Sequence, residues 1–160
     1  MKKLIILLSL ISFNAIGAGT SSNTDDSTDD SNETSNQIIT LYELAEKHID
    51  NQSYDKSLKL LKKLTKREDL GTKRADIYNL LGFSYRKLEN PDLDKSFAAY
   101  MMAIEIDPSH LGAHEYLGEL YLMRDQKDKA VIILKKLDQL AGSNTEEYRE
   151  LKIAIDEYQS

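Results

Sequence analysis

His110 and His114 stand one helical turn apart with Glu115 and Glu119 close behind, the spacing of metal ligands on one side of a helix. A zinc centre needs further ligands at a defined offset, and no third one follows at a fixed spacing. His114 also falls where a large ring recurs in the chain's internal pattern, so packing between helices is its expected role, and His48 reads the same way. Met101, Met102 and Met123 carry soft sulfur, but no Met-x-Met array or cysteine stands beside them. Met102 is accordingly read as filling an irregular gap. No Gly-x-Ser-x-Gly, catalytic cysteine or glycine-rich phosphate loop occurs. The carboxylate pairs lie at salt-bridge spacing on what would be solvated helix faces. Neither catalysis nor a bound metal or cofactor is expected.

The elements that would carry these residues form a pattern written twice. Tyr78-x2-Leu81-Gly82-x2-Tyr85, Ser96-x3-Tyr100-x2-Ala103 and Pro108 are answered by His114-x2-Leu117-Gly118-x2-Tyr121, Ala130-x3-Leu134-x2-Leu137 and Gly142. Ala75 aligns on Leu111, and a period in the mid-thirties of this kind means tandem helix-turn-helix units. Glycine inside a helix costs roughly 1 kcal/mol against alanine. Gly82 and Gly118 must therefore be compensated, and a close approach of the paired helix does it. Ser96 and Ala130 are the small residues expected at those crossings.

A chain of 160 residues is long enough for about one domain. The formal net charge is -6 and there is no cysteine, so no disulfide framework or thiolate metal site exists. Nor does that balance supply the basic face that nucleic acid requires. Acid is concentrated between Thr20 and Gln37, where Asp25, Asp26, Asp29, Asp30 and Glu33 meet no Lys or Arg. Residues 1–18 have the zones of a secretory signal peptide: Lys2-Lys3, an apolar run from Leu4 to Phe13, then small residues to Ala18. That run is shorter than the about 20 residues a membrane span needs. The expectation is an exported protein of the bacterial periplasm, or secreted beyond it, without membrane contact after cleavage. Residues 19–37 hold too few apolar groups to offset the entropy of ordering and are expected to be a disordered linker.

Repeats are expected over 38–74, 75–110 and 111–143. The first is degenerate, with Ala45 in the glycine position, Leu41, Leu44, Ala45, His48 and Ile49 on one face, and a turn at Asn51-Gln52-Ser53. In its second helix Tyr54, Ser57, Leu58, Leu61 and Leu64 should point inward. Asn90-Pro91-Asp92 reads as a cap, a first-turn proline and an early acid, and Asp107-Pro108 ends that helix. Turns follow at Asp125-Gln126-Lys127 and Ala141-Gly142. Asn144 with Glu147 should open a last amphipathic helix, 144–160, covering the end of the stack with Tyr148, Leu151, Ile155 and Tyr158. Seven helices in an all-α solenoid result.

Over 38–160 these positions resemble the tetratricopeptide repeat (TPR) superfamily. His110-Leu-Gly-Ala-His-Glu-Tyr-Leu-Gly-Glu-Leu-Tyr, with Glu146-Glu-Tyr-Arg-Glu-Leu-Lys, looks like small exported TPR proteins of proteobacteria. Some of those carry cysteines where this chain has Gly142-Ser143-Asn144, so a disulfide and a redox role are excluded here. The resemblance implies antiparallel helix pairs in a right-handed superhelix, with each first helix lining a concave groove. Its lining positions become Ile39, Tyr42, Glu46, Ile49 and Asp50, then Asp76, Asn79, Phe83, Arg86 and Lys87. In the third repeat they are Gly112, Glu115, Glu119, Leu122 and Met123. Chaperone-binding relatives hold a terminal carboxylate with Lys and Asn where Tyr42 and Glu46 stand, so that clamp is absent. What is expected instead is a floor of Tyr42, Ile49, Phe83 and Leu122, with Arg86 and Lys87 facing Glu115 and Glu119. The implied function is an adaptor holding a peptide or protein partner during envelope assembly or secretion. The alternatives are a self-association module that forms a homodimer, or a non-catalytic subunit of a periplasmic enzyme complex.

Overall fold

Residues 29–159 are described by the computed structural model, and among them every regular element is an α-helix. They are α1 (Asp29–Asp50), α2 (Tyr54–Leu64), α3 (Lys73–Arg86), α4 (Leu93–Ile106), α5 (Leu111–Met123), α6 (Lys127–Ala141) and α7 (Glu146–Glu157). The expected signal peptide, 1–18, and the expected linker up to residue 28 lie outside the described residues. α1 begins at Asp29 rather than Ile38, so part of the expected linker is helical. Once the packed turns from Ile38 onward have nucleated the helix, each added residue gains a backbone bond without burying anything.

Local chemistry sets most other boundaries. α4 starts two positions after Pro91, because Asp92 rather than Asn90 is the cap and its Oδ1 accepts from the Lys95 amide at 3.0 Å. α7 is capped by Thr145, not Asn144, through a 3.4 Å bond from the Tyr148 amide. Gly142, at φ +82°, ends α6 in a conformation that other residues rarely adopt. Gln52 and Asp125, at φ 56° and 57°, make the matching turns inside the first and third hairpins.

α1 with α2, α3 with α4 and α5 with α6 form hairpins, and α7 lies alone against α5 and α6. Along the array α1 touches α3, α3 touches α5, and α5 touches α7. No contact joins α2, α4 and α6 to one another. A stack whose first helices meet while its second helices stand apart curves toward the first helices, so α1, α3, α5 and α7 make the inner face. The core is a succession rather than one centre: Leu58, Leu61, Leu64 and Ile77, then Tyr100, Leu117 and Leu120, then Leu137, Leu151 and Ile155. Each cluster depends on the next hairpin for its cover, as in quasi-one-dimensional repeat arrays.

The glycine crossings differ. A Cβ at Gly82 would lie 2.6 Å from Tyr100 Cε1 of the paired helix, and Ser96 Oγ donates to the Gly82 carbonyl at 2.8 Å. At Gly118 the space is filled by Leu151 of α7, 2.5 Å from the same added atom. Leu134 stands where Tyr100 does in the preceding unit, yet it is Leu151 of the last helix that fills the notch.

Candidate functional site

The inner face is tied across each helix junction by side chains that the lining pattern presents as free. Between α1 and α3, Lys73 Nζ stands 4.7 Å over the Tyr42 ring, and the Tyr42 hydroxyl lies beside the Glu46 carboxyl. Burial raises both the Tyr42 phenol and the Glu46 carboxyl, the latter partly relieved by the neighbouring phenol and by Lys73. Between α3 and α5, His110 closes one end and Arg86 the other. The His110 ring caps α5, its Nδ1 accepting from the Ala113 amide at 3.1 Å. This leaves Nε2–H to donate to Asp76 Oδ1 at 3.2 Å, which holds the Asp76 carboxyl below its ordinary value. At the far end Arg86 Nη1 donates to Glu119 Oε2.

The expected lining residues therefore separate into two groups. Tyr42, Ile49, Asn79, Arg86 and Leu122 are buried in packing between helices and form no open floor. Arg86 is only 5% exposed and its charge is spent on Glu119, so the picture of Arg86 and Glu119 sorting a partner's charges is corrected to a closed internal pair. The reason is reach: the long guanidinium spans the junction and finds a carboxylate in a drier place than solvent. Glu46, Phe83, Glu115 and Glu119 are half-buried, and Lys87 is exposed.

Of the remaining lining residues Ile39 and Met123 stay exposed, and the half-buried side chains around Phe83 are aromatic. Phe83 lies 5.1 Å from Tyr116 and 6.3 Å from Tyr54, ring centre to ring centre. Arg86 sits 5.5 Å over Phe83 and 5.2 Å over Tyr116, and Lys87 Nζ is 5.6 Å from the Phe83 ring. Beneath them Tyr100 is fully buried, 6.1 Å from Tyr116, with its phenol pushed up to about 12 by burial. Sequence reasoning missed Tyr54 and Tyr116 because neither occupies a lining position. The spacing that puts Tyr116 next to Glu115 was the available signal. Beside Tyr54 a hollow of about 360 Å³ opens among Gln52, Asp55, Leu88 and Glu89.

His114 is buried between helices, as its place in the repeat pattern implied. His114 is 4% exposed, and its Nε2–H donates to the Pro108 carbonyl at 3.0 Å. Its Nδ1 has no partner, and among the described residues no group of three potential ligands gathers to hold a metal. Burial lowers the His114 pKa below 6.5, so the unfolded chain takes up a proton that the native chain resists. The contribution of His114 to stability is therefore complete above about pH 6.5 and falls as the pH drops below it. In denaturant titrations His114→Phe should flatten that acid limb. A limb unchanged by the substitution would locate the acid sensitivity elsewhere.

No family model matches the chain, and no curated protein matches it. Among solved structures the chain is similar to one described as the crystal structure of MamA. The two share 22% identity over 74% of this chain and 67% of that one, with a TM-score of 0.61. The fold is a TPR-like helical-repeat solenoid. At that identity the likeness is one of architecture, and it agrees with hairpins whose first helices meet along one side. On this chain the inner face carries the Phe83 and Tyr116 rings, with Tyr54 of α2 beside Phe83.

Proposed function

We propose that the protein is an exported TPR scaffold that holds a segment of a protein partner against the aromatic patch of its inner face. The observation that supports this most is the Tyr54, Phe83 and Tyr116 cluster, three half-open rings with Phe83 between the other two, beside exposed Lys87. Aromatic rings offer large contact area at low entropic loss, and Lys87 at the rim adds a charge for orientation. The signal-peptide pattern of residues 1–18 assigns the work to the cell envelope, in assembly or secretion, and the motif likeness to small exported proteobacterial TPR proteins agrees.

Substituting Arg86 would be a poor test, since the change measures folding. A photo-crosslinking residue at position 87 is cleaner. It should give adducts with a defined partner in the exported fraction, while the same group at exposed Ile132 on α6 gives none. Equal labelling from both positions, or none from position 87, would remove the inner face from consideration.

A further inference from the structure

α5 and α7 run in the same sense, with Leu151 seated in the notch left by Gly118. One turn toward the N-termini the same register sets half-buried Glu115 of α5 against Glu147 of α7, with Glu150 beside it. No hydrogen bond reaches the Glu115 carboxyl among the described residues. The charged groups facing it are Arg86 from α3, Glu119 on its own helix, and Glu147 and Glu150 from α7. α4 brings the Tyr100 hydroxyl to Arg86, and α6 brings Lys136 to His114 rather than to this carboxyl. Arg86 is thus the one cation among them, and Glu119 already holds it. The bases of α7 are occupied elsewhere: Arg149 donates to the Asn144 carbonyl at 3.0 Å, and Lys152 pairs with Asp156 at 2.6 Å.

α7 also has the means to move. Its 12 residues are too few for a helix to persist alone in water. It is joined through Gly142, where nothing lies within 4 Å of an added side chain. Burial first, then the neighbouring carboxylates, lift the Glu115 carboxyl from 4.5 to about 8. A group raised in this way favours the docked state below its free value and withdraws that support as the pH climbs through the docked value.

We propose that α7 is a latch: it closes on α5 while Glu115 holds its proton, and loosens when the proton leaves, uncovering the apolar end of the array around Leu122 and Leu137.

Amide hydrogen exchange on the whole protein from pH 6.5 to 9, corrected for intrinsic exchange chemistry, tests this. Protection of the α7 amides should fall on the order of tenfold relative to α3 and α4. Glu115→Gln should keep α7 protected across the range, and the Glu147→Gln, Glu150→Gln pair should shrink the loss. An equal loss in Glu115→Gln, a loss spread evenly over all helices, or no loss overturns the latch.

Discussion

Glu119→Ala is expected to lower the unfolding free energy by about 3 kcal/mol, although the residue lies on the inner face and belongs to no apolar cluster. Its partner is the reason. The Arg86 side chain is 4% exposed and that of Glu119 19%, and neither Nε nor Nη2 of the guanidinium has an acceptor at bonding geometry. Removing the carboxylate leaves a desolvated cation between Phe83, Tyr116 and Tyr100 with no hydrogen-bonded counter-ion, only the Glu115 carboxyl remaining within electrostatic reach. Replacing both partners, as Arg86→Met with Glu119→Leu, should recover most of the loss, since apolar groups of similar size carry no desolvation penalty. Urea unfolding of the three variants decides the matter. If Glu119→Ala costs under about 1 kcal/mol, the pair behaves as a surface contact and the inner face is not held by it.

Gly82→Ala should destabilise by about 2 kcal/mol, against the roughly 1 kcal/mol that alanine ordinarily gains over glycine in a helix. The added methyl meets a fully buried Tyr100 ring at 2.6 Å, and that ring is already enclosed by Tyr116 and its neighbours. Tyr100→Leu in the same chain should restore part of the loss by returning volume to the crossing. Gly118→Ala should behave differently, because the obstructing group is a leucine on the last helix, which can lift away. Its loss should appear first as faster exchange in α7 rather than as a lower global midpoint. Equal and global effects of both substitutions would mean that the two crossings are packed alike.

The comparison of expectation with structure turns on a few residues. Tyr78, Gly82, Ser96 and Tyr100, with their counterparts in the next unit, made the paired helices legible, because a repeated period of small and large residues has one economical packing solution. Boundaries were less legible. Asp92 and Thr145 won their caps over Asn90 and Asn144 by geometry that composition does not distinguish. The linker that became the start of α1 shows the limit of judging order by burial alone, since propagation from a packed turn requires none.

The candidate site was legible in outline and misread in detail. The TPR resemblance implied that Phe83, Arg86, Lys87, Glu115 and Glu119 line one side of their helices, and that side is where first helices meet. It could not say that Arg86 would be consumed by Glu119, that Tyr42 and Leu122 would be covered, or that Tyr116 would complete the patch. By itself the sequence determined helices, their pairing and the need for a final cover, because periodicity within one chain segment fixes which face of each helix is apolar. Which residues of the inner face remain open was decided only by the tertiary structure. Exposure there depends on how far a side chain from the neighbouring hairpin reaches across the junction, and no spacing within a single helix encodes that distance.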